Sequence, residues 1–119
     1  MAKPQDIVAR TFQFALRIIE LANQLDDGRG PSRVLTRQIL RSGTSIGANI
    51  EEAQAAESKA DFAHKYNIAL KEARETKYWL RLISASNKSL NTDLDSLIKK
   101  SDEICRIIAQ IIINTRKTK

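Results

Sequence analysis

The sequence has few of the residues that interrupt helices or cross-link small folds. It contains four glycines, two prolines and one cysteine, and aromatic residues make up only 5% of it. A single cysteine excludes an internal disulfide and a multi-cysteine metal site, and we expect Cys105, in an apolar row, to be an inert thiol. Scarce glycine and proline, with abundant Ala, Leu, Ile, Lys, Arg and Glu, predict an all-α protein.

Long apolar stretches are also missing. No run reaches the eighteen or so residues that span a bilayer, and polar residues from Asp6 to Arg17 interrupt the apolar stretch that a secretory signal would need. We therefore expect a cytoplasmic protein without a membrane partner. A chain of 119 residues is sufficient for one core but not for two, so we expect a single domain over residues 1–119.

Apolar residues recur at spacings of three and four in four segments of the chain, which is typical of amphipathic helices. The predicted helices span about residues 5–26, 33–57, 59–85 and 92–116. Ser32 and Ser58 are the predicted N-caps of the second and third helices. Four helices of similar length, joined by short polar breaks, predict an up-down-up-down antiparallel four-helix bundle.

The first helix carries two apolar rows. The row predicted to face the core is Val8, Phe12, Ala15, Ile19 and Ala22. The surplus row is Ile7, Phe14, Ile18, Leu21 and Leu25, and the fourth helix adds Ile107 and Ile113. A helix that is apolar on more than one face, in a chain this short, indicates packing against a partner. We therefore predict a homo-oligomer with helices 1 and 4 at its interfaces.

Two glycines lie inside the second helix although glycine costs a helix about 1 kcal/mol relative to alanine. Gly43 and Gly47 are four residues apart, so both lie on one face and allow a close neighbour. We predict a tight helix crossing in which either a neighbouring backbone or a large ring packs against them, and Trp79 and Tyr66 on helix 3 are available as that ring. Phosphate binding is the alternative, but the stretch lacks the lysine and the preceding strand of a P-loop.

Polar residues lie on or beside the predicted core face of helices 2 and 3. Asn49, Thr76 and Glu52 would each be costly if buried without a partner, about 1 to 3 kcal/mol. We therefore predict that they pair across these two helices and fix their register.

Catalytic and metal-binding patterns are missing. The glutamates of helices 2 and 3 invite comparison with di-metal bundles, but those sites need two Glu-x-x-His pairs. This chain has one histidine, His64, and the residue three positions before it is Asp61. No nucleophile elbow is present. We expect a protein that is not an enzyme and that uses no cofactor or metal.

The chain is basic, with a net charge of +6 and an isoelectric point near 9.7. Such a surface attracts polyanions. Two arginine rows are the predicted contacts with RNA or DNA: Arg33, Arg37 and Arg41 on helix 2, and Arg10 and Arg17 on helix 1. A solvated basic face with no ligand is the alternative interpretation.

A protein-interaction scaffold is the second functional hypothesis. Aromatic residues dominate the energetics of interfaces, and Tyr78 and Trp79 on helix 3 are the available anchors. Packing of Trp79 within the bundle is the alternative, and we favour it because Leu80 and Leu82 lie beside it.

The stretch RSGTSIGANIEEAQAAESKADFAHKYNIALKEARETKYWLRLI, residues 41–83, resembles the central signature of the 23S rRNA intervening-sequence proteins, or four helix bundle protein family. That signature has Ser-Ile, then Asn-Ile followed by an acidic residue, then an aromatic residue and an Ala-x-x-Glu turn. The matching residues are Ser45, Ile46, Asn49, Ile50, Glu52, Phe62, Ala69 and Glu72. Ala53 departs from the pattern, since many members have glycine there.

This resemblance implies an antiparallel four-helix bundle that assembles into a homopentameric, barrel-like ring. Similar proteins are encoded within intervening sequences of bacterial large-subunit rRNA genes. A related accessory protein of diversity-generating retroelements is a basic pentamer that binds nucleic acid and a reverse transcriptase. Most members have no assigned molecular role.

Overall fold

The computed structural model describes residues 4–25, 30–86 and 94–117. It contains four α-helices, and no strand occurs among these residues. The helices are α1 (Pro4–Leu25), α2 (Gly30–Ala53), α3 (Lys59–Ser86) and α4 (Leu94–Lys117). The predicted all-α, four-helix fold is therefore confirmed. Position 26, the predicted end of the first helix, and positions 92–93, the predicted start of the fourth, lie outside the described residues.

The ends of α2 differ from the prediction. Ser32 lies inside α2 rather than at its N-cap, because the helix begins at Gly30. At the other end, the backbone N–H of Gln54 and of Ala55 each donate to the carbonyl three residues earlier, at 3.1 Å. These tighter turns end the α-helix at Ala53, four residues before the predicted end. The predicted cap of α3 is confirmed, since Ser58 Oγ accepts from the Asp61 N–H at 3.0 Å.

Neighbouring helices run antiparallel. Along the α2–α3 interface, Ser42 and Thr76 lie opposite each other, and Glu52 lies opposite Lys65, so residue numbers rise on α2 as they fall on α3. The same holds between the first and last helices, where Arg10 pairs with Glu103 and Arg17 Nη1 donates to Ser96 Oγ at 3.4 Å. Contact between α1 and α4 closes the bundle.

The face of α1 that enters the core is the reverse of the predicted one. Phe12 is 57% exposed and Ile19 is 41% exposed, whereas Phe14 is 2% exposed. The buried row is Ile7, Thr11, Phe14, Ile18, Leu21 and Leu25, with Ala22 at its edge. The sequence pattern did not identify this row as the buried one, because Thr11 is polar and interrupts it. Its hydroxyl donates to the Ile7 carbonyl at 2.8 Å, which removes the cost of burying it.

The glycines of α2 permit a close approach, as predicted, but the neighbour is α1 rather than an aromatic ring of α3. A Cβ added to Gly43 would lie 2.8 Å from Cγ2 of Ile18. A Cβ added to Gly47 would lie 3.4 Å from the carbonyl oxygen of Thr11. The two helices therefore approach most closely at Gly43, where a branched side chain occupies the space of the missing methyl group.

Polar groups in the core are paired, although not all as predicted. The Ser42 and Thr76 hydroxyls hydrogen-bond across α2 and α3 at 2.9 Å. Glu52 also pairs across these helices, with Lys65 at 3.3 Å, but its side chain is exposed rather than in the core. The prediction for Asn49 was wrong, because its Nδ2 donates to the Ser45 carbonyl of the same helix at 2.9 Å. An asparagine can satisfy its amide within its own turn, so it need not reach a neighbour.

The close α1–α2 crossing makes the two glycines unequal in mutagenesis. Gly43→Ala should lower the free energy of unfolding by about 1–2 kcal/mol, because overpacking against Ile18 outweighs the gain in helix propensity. Gly47→Ala is the matched control, and it should leave stability unchanged or raise it by up to about 1 kcal/mol. Urea denaturation measures both, and equal effects of the two substitutions would contradict the crossing.

Candidate nucleic-acid interface

Positive charge is concentrated in one half of the bundle. Antiparallel packing brings together the ends of α1 and α3 and the starts of α2 and α4, and we define the basic half as residues 17–25, 30–41, 74–86 and 94–100. Its cationic residues are Arg17, Arg33, Arg37, Arg41, Arg74, Lys77, Arg81, Lys99 and Lys100. Its described acidic residues are Glu20, Glu75 and Asp95. The opposite half is nearly balanced, so the molecule is electrically polar along its 50 Å axis.

Most cations of the basic half have no carboxylate partner. Within the described chain, ion pairs in this half involve only Arg41 and Lys77. Lys77 donates to Asp102 of α4 at 2.9 Å and thereby lowers the pKa of that carboxyl, an effect to which Arg106 adds. The uncompensated cations are Arg17, Arg33, Arg37, Arg74, Arg81, Lys99 and Lys100. These are the groups available to an anionic ligand.

The structure distributes the five arginines predicted to contact nucleic acid over several environments. Arg33 and Arg37 are exposed on α2, in the basic half. Arg17 also lies in that half, but on the side of α1 that meets α4. Arg10 lies in the opposite half and pairs with Glu103. Arg41 is held by α3. The two predicted rows therefore do not form one continuous surface.

Arg41 connects α2 to α3. Its guanidinium binds Glu72 at 3.2 Å and also pairs with Glu75, whose Oε2 accepts a second hydrogen bond from Trp79 Nε1 at 2.9 Å. A third contact, at 3.4 Å, goes to Gln38 Oε1. A phosphate would have to compete with two carboxylates for this side chain. The structure therefore gives Arg41 a packing role and leaves Arg33 and Arg37 free for ligands.

Several cations of the basic half were not predicted from the sequence to contact nucleic acid. Arg74 and Arg81 follow helical spacing with Lys77 between them, but glutamate residues are interspersed on the same helix, and Lys99 and Lys100 are adjacent in sequence. They come together because α3 ends where α4 begins. Placing every charge on the predicted antiparallel bundle would have found them.

The family signature residues hold α2 against α3. Ile46, Ile50 and Ala69 are fully buried in the core. Phe62 stacks on Tyr66 with ring centroids 4.4 Å apart, and burial raises the pKa of the Tyr66 hydroxyl. The polar members make hydrogen bonds or ion pairs with their own helix or the facing one: Ser45, Asn49, Glu52 and Glu72. The signature thus defines a helix interface.

Among the described residues, exposed large apolar side chains form a patch on α1 and a patch on α3, and Val34 and Leu40 of α2 and Ile113 of α4 are exposed as well. The α1 patch consists of Phe12, Leu16 and Ile19, each more than 40% exposed. The α3 patch consists of Tyr78, which is 51% exposed, and Leu82. Trp79 is half-buried and packs against the core, as favoured from the sequence, with its ring edge toward Tyr78. The α1 patch and the α3 patch are thus two surfaces available to a protein neighbour.

No other kind of site is evident in the described residues. They contain no group of three or more His, Cys, Asp and Glu residues arranged to hold a metal ion. Burial raises the pKa of the Cys105 thiol, which disfavours the reactive thiolate. None of the four helices, as far as it is described, has an apolar stretch sufficient to span a bilayer.

Comparison with known proteins agrees with the bundle and its signature. A family model for the 23S rRNA-intervening sequence protein matches residues 3–110, nearly the whole chain. The chain belongs to this family. A member of the S23 ribosomal protein family from Bacteroides thetaiotaomicron, of unknown function, has a similar crystal structure, with a TM-score of 0.83. The two sequences are 42% identical, and the match covers 93% of this chain and 98% of that one. A search among curated proteins finds no significant match.

The environments of Arg37 and Arg41 predict different effects on RNA binding. Arg37→Gln should weaken binding of a structured RNA, because an arginine available to bind a phosphate is lost. The slope of log K against log salt concentration should become smaller by about one unit. Arg41→Gln is the matched control and should change affinity less than about twofold. Fluorescence anisotropy over a salt series measures both. A larger effect of Arg41→Gln would show that its pairs with Glu72 and Glu75 open for the ligand.

Proposed function

We propose that this protein is a non-enzymatic homo-oligomer that binds nucleic acid through its basic half. The observation that carries the proposal is the concentration of uncompensated cations, Arg33 and Arg37 among them, at one end of the bundle. Phosphate contacts are individually weak but act together when several copies are joined. The name of the family refers to an intervening sequence of 23S rRNA.

Assembly follows from the α1 patch. Phe12, Leu16 and Ile19 form one contiguous apolar stripe at helical spacing, and such a stripe is hidden from water when a second copy packs on it. In a closed cyclic assembly whose symmetry axis runs parallel to the bundles, equivalent ends of all subunits lie on one side. Such a ring would collect every basic half on one face. In the pentamer that the resemblance implies, +6 per chain becomes about +30.

Binding should be largely independent of sequence, since the basic half offers charge but no recognition motif, and Tyr78 is its one exposed aromatic residue among those described. We expect structured RNA and duplex DNA to bind at about 50 mM salt and to dissociate steeply by about 200 mM. A fluorescence-anisotropy titration that finds no association at the lower salt would contradict the proposal.

Charge reversal distinguishes the two ends of the bundle. The double variant Arg33→Glu, Arg37→Glu should weaken RNA binding by about tenfold or more, because two phosphate ligands become repulsive. The control Arg116→Glu, Lys117→Glu makes the same change in net charge in the opposite half and should cost less than about threefold. Equal losses would assign binding to net charge rather than to the basic half.

A charge within the α1 patch should dissociate the oligomer. Phe12→Asp buries a carboxylate at the proposed interface, so light scattering should report a mass near the 13.4 kDa of one chain. Gln13→Asp, exposed on the same helix about 100° around its axis from Phe12, is the control and should retain the larger mass. A wild-type protein that stays a single subunit at high micromolar concentration would contradict assembly.

A protein-interaction scaffold is the second candidate, and the α3 patch favours it. Tyr78 is half exposed. It lies outside the α1 patch, so assembly through that patch would leave it available as an anchor for another protein. A pull-down that recovers a second polypeptide from wild-type protein, but not from a Tyr78→Ser variant, would support this role.

A further inference from the structure

A groove separates the first and last helices of the bundle. It has a volume of about 350 Å³ and lies between the middle of α1 and the first half of α4. Phe14 and Ile104 form its floor, and both are almost fully buried. Ala9 and Gln13 line the α1 side. The volume lies near the lower end of the range of small-molecule sites, about 300–1,000 Å³.

Three cations border this apolar floor. Arg10, Arg17 and Lys100 all line the groove, and Glu103 is the one acidic group among its lining residues. Glu103 is already paired with Arg10. Arg17 reaches only the Ser96 hydroxyl, at 3.4 Å, and Lys100 makes no ion pair with any described residue. The groove therefore has a positive rim over an apolar floor, and it lacks a matching negative charge.

The cations follow one another along the groove. Arg10 and Arg17 are seven residues apart, which is about 10 Å along a helix. Lys100 lies between the α4 residues that face them, Ser96 and Glu103, because α1 and α4 run antiparallel. Since Glu103 already pairs with Arg10, a ligand with one carboxylate would satisfy either Arg17 or Lys100 and leave the other unpaired. A row of cations beside an apolar surface is typical of grooves that follow a single nucleic-acid strand.

We propose that the α1–α4 groove binds an unpaired nucleotide of a single-stranded nucleic acid, with the base over Phe14 and Ile104 and the flanking phosphates on Arg17 and Lys100, the two lining cations that no described carboxylate holds. A duplex is excluded from so small a groove. Arg17 and Lys100 also belong to the basic half, so a strand held there continues directly into the groove. This continuity favours a strand over a free nucleotide. The inference rests on the proposed nucleic-acid binding and assigns it a second, strand-selective contact.

The test fills the groove without changing any charge. Ala9 is exposed and lines the groove, so Ala9→Trp occupies the space of the base. Ala48→Trp, at an exposed position of α2, is the matched control. Anisotropy titrations use a labelled ten-nucleotide oligouridine and a labelled RNA duplex without unpaired bases, at about 50 mM salt. Ala9→Trp should weaken the single strand by about tenfold and leave the duplex unchanged, whereas Ala48→Trp should change neither.

The possible outcomes distinguish a failure of the groove assignment from a failure of the proposed nucleic-acid binding. If Ala9→Trp leaves both affinities unchanged, or weakens both equally, the groove assignment is overturned while binding through the basic half stands. If wild-type protein binds neither probe, the proposed function fails as well. Free uridine monophosphate that displaced the strand at equal phosphate concentration would overturn the assignment to a strand. A Lys100→Ala variant gives a second readout, since it should weaken the single strand more than the duplex.

Discussion

The close approach of α1 and α2 is the constraint on which the rest of the structure depends. Gly43 and Gly47 leave no side chain between the helices, so Ile18 and the Thr11 backbone pack directly on α2. This contact fixes the rotation of α1 about its axis. With Ile18 turned inward, Phe14 enters the core and Phe12 points away from it. The surface that the protein offers to other molecules is therefore set by two residues that have no side chain.

The same arrangement separates the residues that build the bundle from those available for binding. The family signature lies at the α2–α3 interface, where Arg41 joins Glu72 and Glu75 and where Ser42 meets Thr76. The free cations lie outside this interface, toward one end. The signature thus identifies the fold of a member, whereas its binding properties depend on surface charges that the signature does not include.

The sequence predicted the helices, their antiparallel order and the cap at Ser58, because these depend on local spacing and on short connections. It did not predict the rotation of α1, since two apolar rows of equal length compete and Thr11 weakens the row that is buried. The ion-pair partners of Arg41 could not be predicted either, because they lie on another helix and local spacing does not show which residues face each other. The α1–α4 groove depends on how closely the first and last helices pack, which no local pattern encodes.

Hydroxyl-radical footprinting of the wild-type protein tests the rotation of α1 most directly, because it reports the exposure of neighbouring phenylalanines in one experiment. The structure predicts that Phe14 is unreactive at every protein concentration. Phe12 should react in dilute protein and become protected as the concentration rises and the α1 patch is covered. Greater reactivity of Phe14 than of Phe12 would show that α1 faces the core with its other row, and would contradict the account.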